Sequence, residues 1–148
     1  MKKRILLIAV VMACSSGIQA SEVDAETYIQ YRQDLMGNAK THTKGIANVL
    51  KGKLSTKDNV VRHARALHEV TMMFPSGFPE GSDFGETSAK EKIWDERDNF
   101  NAAAKKNQDA AAALIKAAES GDMAAIGAAM KDVGKSCKGC HKEYRSKK

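Results

Sequence analysis

Two thiols and an imidazole stand near the C-terminus in the order Cys137-Lys138-Gly139-Cys140-His141. On a helix, positions i, i+3 and i+4 share one face, so all three side chains can meet the same flat ligand. Thiols at this spacing add across the two vinyl groups of one porphyrin edge, and the imidazole that follows turns inward to the iron. The segment reads as a covalent haem c site, with Cys137 and Cys140 as thioethers and His141 as the proximal iron ligand. Five residues are a short pattern. A disulfide, a redox C-x-x-C or half of a zinc site would fit them too.

The rest of the chain narrows the choice. Its 148 residues allow one domain with one core. Met1-Lys2-Lys3-Arg4 is followed by an apolar run from Ile5 to Ala13, too short to span a bilayer. Residues 1–20 therefore read as a secretory signal cut after Ala20, leaving residues 21–148 as the mature domain. The alternative cut precedes Cys14, which would then carry a lipid anchor. Either address lies outside the cytoplasm, in a bacterial periplasm or on a membrane facing it. No second apolar run reaches spanning length, so the mature protein is expected to be soluble.

Loss of Lys2, Lys3 and Arg4 with the signal takes the 24 basic residues to 21 against 18 acidic ones, a net charge of +3. That is no nucleic-acid footprint. After cleavage at Ala20 only Cys137 and Cys140 remain, so there is neither a disulfide framework nor a second cysteine pair for zinc.

The elements that must position the motif are all helical, since no segment alternates like a strand and Pro75 and Pro79 are the only prolines. The first stretch runs from about Ala25 to Lys51 with Tyr28, Leu35, Met36, Ala39, Ile46 and Val49 on one side, closed by Gly52. A second starts near Ser55-Thr56 and carries Val60, Ala64, Leu67, Thr71 and Phe74 inward until Pro75. Pro75 to Thr87 is the one long loop, expected to be a crossover. Ser88-Ala89-Lys90-Glu91 has the form of a capping box. Ile93, Arg97, Phe100, Ala104, Asn107, Ala111, Leu114 and Ala118 follow at steps of three and four, until Gly121. Asp122 caps a last helix whose inward set, Met123, Ile126, Met130, Val133, Cys137, Cys140 and Tyr144, runs into the motif. The cysteines thus lie on the buried face of a bundle helix, not in an exposed loop where a redox C-x-x-C or metal knuckle would sit. Only eight residues of the whole chain are aromatic, and nine alanines stand between Asn101 and Ser120, which makes a thin core that a haem would fill, although alanine also permits close helix packing.

Three sets of residues carry a family resemblance: Tyr31-Arg32 with an apolar residue four further on, Ile93-Trp94 with Phe100, and the run from Asp132 to Arg145 around the motif. Over nearly its full mature length the chain resembles a class II c-type cytochrome, the cytochrome c prime family. The resemblance implies an antiparallel four-helix bundle with haem between the first and last helices, His141 as proximal ligand, and Arg32 and Arg145 near the haem edge. Members of that family often form homodimers through the first two helices, but Lys40, Lys44, Lys51 and Lys53 make that surface polar here, and the sequence leaves dimerisation open.

Most of the family leaves the sixth iron position empty beneath an apolar side chain. The residue at that place here is Met36, and with Leu35-Met36 and Phe74-Pro75 the chain resembles the low-spin, methionine-ligated branch. A thioether opposite His141 would favour ferrous iron and close the site to small ligands. The expected function is then that of a periplasmic monohaem electron carrier with a six-coordinate His141/Met36 iron, exchanging electrons with periplasmic or membrane-bound, acidic redox partners. The alternative is a five-coordinate cytochrome c prime that binds nitric oxide or carbon monoxide, with Met36 as core filling. No histidine or carboxylate falls at the distal position, so no catalytic residue is expected. His42, His63 and His68 read as surface histidines, and Met72, Met73, Met123 and Met130 as packing. Lys131, Lys135, Lys138, Lys142, Arg145, Lys147 and Lys148 crowd the motif helix, where they would steer acidic partners or simply suit the helix dipole.

Overall fold

A computed structural model describes residues 24–147; the signal sequence, the cut after Ala20, the alternative cut at Cys14, and Lys148 fall outside the described residues. Five α-helices follow in order: α1 Ala25–Leu50, α2 Asn59–Met73, α3 Lys92–Asp95, α4 Arg97–Ser120 and α5 Met123–Tyr144. Among the described residues there is no strand, only an isolated antiparallel bridge between Ala89 and Arg145. No helix among them is long and apolar enough to cross a membrane.

The four long helices form the expected bundle, and its core shows their directions. One cluster joins Ile46 and Val49 from the end of α1, Val60, Ala64 and Leu67 from the start of α2, Leu114 and Ala118 from the end of α4, and Ile126 and Val133 from the start of α5. Ends meet starts around the ring, so chain neighbours are antiparallel. A second cluster at the opposite end joins Phe78, Ile93, Phe100 and Tyr144. Between the two clusters α1 and α5 touch little, and a cavity separates them.

Asp24 caps α1 through the Thr27 amide, and Asp122 caps α5 through the Ala124 amide at 2.8 Å, as short acceptor side chains do before a helix. Gly121 closes α4 at φ 71°, a left-handed turn that glycine adopts without strain.

Two expected helix starts do not form. Helix α2 begins at Asn59, not at Ser55-Thr56, because residues 55–58 fold into overlapping turns. The Ser88–Glu91 capping box is also absent: the Ser88 carbonyl accepts from the Ser146 amide at 2.8 Å, tying the segment to the far end of α5 instead. The long third helix is interrupted at Glu96 (φ −117°, ψ 50°), which separates α3 from α4. The 75–87 loop does not lead away from α2, since α4 packs directly on it. Met72 and Met73 are exposed rather than packed.

The histidines also depart from the surface reading. His42 on α1 and His63 on α2 place their Nδ1 atoms 3.0 Å apart across the helix pair, both partly buried. Gly45 makes room for this: a Cβ there would lie 2.8 Å from His63 Nε2. Burial, and then the neighbouring His63, pull the His42 imidazole below its ordinary value of 6.5. The folded protein therefore holds fewer protons than the unfolded chain just below that value. This part of the stability is fully present above pH 6.5 and is lost as pH falls through the lowered folded value. Urea unfolding midpoints are expected to drop between pH 7.5 and 5 in the wild type and less in His42→Gln; equal slopes would remove the pair from the pH dependence.

Candidate haem site

Cys137, Cys140 and His141 lie on the last turns of α5 along one wall of a cavity of about 590 Å³. Both thiols are free and half-buried. Burial raises the Cys137 thiol, against bonds from Asn107, its own backbone and Ser136 that lower it. Burial, followed by the Cys137 neighbour, pushes Cys140 up to about 11. Both sulfurs therefore keep their protons at neutral pH. Burial first, and the Arg145 charge second, lower the His141 imidazole, which favours the neutral form that binds metals.

The opposite wall is α1, which contributes Ile29, Met36, Ala39 and Thr43 to the lining. Leu67 of α2 and Phe100, Ala104 and Asn107 of α4 form the back. The end is sealed by the aromatic cluster, in which the Phe78 and Phe100 rings are 4.9 Å apart and the Phe100 and Tyr144 rings 5.3 Å, edge to face.

Arg32 also lines the cavity, but its guanidinium is turned to the loop. It donates to the carbonyls of Gly77 (3.3 Å) and Ser82 (3.0 Å) and to the Ser82 hydroxyl (3.0 Å), with Cζ 5.0 Å from the Phe78 ring. Burial lowers its pKa, and no carboxylate among the described residues pairs with it. This clamp gave no sequence signal, because it joins residues 45 to 50 apart.

Arg145 is exposed at the mouth, on the segment bridged to Ala89. Lys90 Nζ donates to the carbonyls of Lys142 (3.1 Å) and Glu143 (3.0 Å), which a helix end otherwise leaves to water. Exposed Lys131, Lys135, Lys138, Lys142 and Lys147 follow the same helix end, Lys135 being paired with Asp132 at 3.1 Å.

The donor set and the space fit a haem. Two thiols and an imidazole share one wall of an apolar cavity whose volume is typical of cofactor sites. The sequence profile of the family described as Cytochrome C' matches residues 27–145. The chain belongs to the cytochrome c prime family. It is 37% identical over 145 residues to cytochrome c' of Rhodospirillum rubrum, covering 97% of this chain and 99% of that one. Among solved structures, the nitric oxide complex of a variant cytochrome c prime from Alcaligenes xylosoxidans has a TM-score of 0.77 at 30% identity, covering 84% and 97% of the two chains. A carbon monoxide-bound variant of the same protein has a TM-score of 0.78 at 28% identity, covering 84% and 98%. As a cytochrome c prime, the chain carries one covalent c-type haem.

These relatives correct one expectation. The six-coordinate His141/Met36 electron carrier is overturned, because the chain falls among cytochromes c prime, including structures with nitric oxide or carbon monoxide bound. The physical reason is that a methionine on an apolar helix face packs before it ligates. Met36 is half-buried and lines the cavity from the α1 wall.

Proposed function

We propose that this chain is a periplasmic, five-coordinate c-type cytochrome c prime that binds a small neutral gas, nitric oxide or carbon monoxide, on the haem face under Met36. When bound, the haem supplies the iron that takes the gas. Cys137 and Cys140 would hold it as thioethers and His141 would hold the iron from α5. One observation carries this reading: Met36 and the motif residues line the same cavity from opposite helices, and α1 contributes no histidine or carboxylate to that lining. A mostly apolar lining without a histidine or carboxylate beside Met36 favours a neutral diatomic and gives no acid–base group for peroxide chemistry. Arg32 turns Nη1 and Nη2 to the loop, where they donate to Gly77 and Ser82. The gas complexes of the Alcaligenes xylosoxidans relative support the same assignment. The exposed lysines along the end of α5 form a docking face for an acidic partner, whose encounter rate falls with salt.

The test is the absorption spectrum of the ferrous protein with and without carbon monoxide, for wild type, Met36→Leu and Met36→Ala. Wild type and Met36→Leu are expected to bind the gas at similar rates. Met36→Ala, with the cover removed, is expected to bind on the order of tenfold faster, the effect of lowering a barrier by about 1.4 kcal/mol. A ferrous wild type that is low-spin and unresponsive to carbon monoxide, with Met36→Leu responding at once, would refute the reading.

A further inference from the structure

Asn107 is a polar side chain in the middle of the alanine-rich face of α4, between Ala104 and Ala111, and is only 4% exposed. Burying an amide there is costly unless its polar atoms find partners. Its Nδ2 finds two, both on α5: Ser136 Oγ at 2.8 Å and Cys137 Sγ at 3.3 Å. The Ser136 hydroxyl donates its own proton to the Val133 carbonyl at 2.8 Å, so toward Asn107 it can only accept. With the hydroxyl so directed, the amide presents its NH₂ to the serine and the sulfur. Its Oδ1 is the only buried side-chain polar atom among the described residues with no hydrogen-bond partner. Helix pairing alone would not place such a group here, whereas its residue lines the cavity that takes the haem.

We propose that Asn107 is a positioning residue of the haem site, whose side-chain N–H donates to the Cys137 sulfur and fixes the orientation of that thioether. The inference rests on Cys137 carrying one of the two haem attachments. A thioether sulfur has no proton to give and can only accept, so a donor from α4 favours the rotamer that presents its lone pair to Asn107. It thereby selects one seating of the porphyrin edge against α5. The adjacent bond to Ser136 holds the amide in place.

The experiment uses the haem-loaded ferric protein labelled with ¹⁵N. The Asn107 side-chain NH₂ is expected to exchange slowly with solvent and to be shifted by the iron. Asn107→Leu, similar in size but without donors, is expected to split or move the haem-methyl resonances and shift the midpoint potential, while Ser136→Ala moves both less. A change in thermal stability with resonances and potential unmoved in Asn107→Leu would overturn the proposal. If that variant fails to load haem, an unshifted, fast-exchanging Asn107 NH₂ in the wild type overturns it equally. Mass mapping that finds no haem on the Cys137 peptide would instead overturn the attachment on which the inference rests.

Discussion

Replacing His141 by glycine is expected to change the absorption spectrum of essentially all the haem, and imidazole added to solution is expected to restore it. Cys137 and Cys140 would still tether the group, so the haem would be retained while the imidazole proposed to hold its iron is lost. The substitution lies in the final turn of α5, where glycine costs about 1 kcal/mol relative to a good helix former. The capped and bridged end of α5 can absorb a loss of that size. Free imidazole then enters the space vacated by the side chain. A titration followed at the Soret band should saturate with one imidazole per haem in His141→Gly and show nothing comparable in the wild type. An unchanged variant spectrum would mean that another group holds the iron.

Arg32→Ala is expected to cost about 3 kcal/mol, an effect drawn from stability rather than ligation. The substitution removes the donor serving the Gly77 and Ser82 carbonyls and the Ser82 hydroxyl, and Ser82 is fully buried. It also strips a cation from the Phe78 ring, against which it now rests at 5.0 Å. For a domain of this size the midpoint of thermal unfolding should fall by on the order of 10 °C. Arg32→Lys should recover only part of that, since one ammonium cannot span the carbonyls that the guanidinium fork reaches. Calorimetry on the three proteins measures the difference; a midpoint unchanged within a degree in Arg32→Ala would show the loop to be held by Trp94 and Arg97 instead.

The parts of the fold written in short-range spacing were legible beforehand. Ile126, Val133 and Tyr144 repeat at helical steps and are buried as expected, and the stripe from Phe100 to Ala118 behaves alike. Asp122 and Gly121 sit where local backbone chemistry demands them. Misreadings came where a distant partner outbid a local signal. Ser88 and Glu91 have the right spacing for a capping box, but the Ser88 carbonyl is claimed by Ser146, 58 residues on. His42 and His63 stand among polar neighbours in sequence and meet only because Gly45 leaves a notch between their helices. Arg32 lines the cavity, and its additional hold on the 75–82 loop is invisible without the loop's path. Met36 was placed on the correct wall, yet position says nothing of whether sulfur binds iron.

The bridge from Ala89 to Arg145, with Lys90 on the carbonyls of Lys142 and Glu143, bears on how the molecule comes apart. A C-terminal helix normally frays from its tip inward, and here the tip is where the motif lies. Buckled to the segment ahead of α3, that tip cannot peel away alone. The end of α5 and the aromatic cluster beneath it are therefore expected to open together, so the turns that carry the motif are guarded like an interior.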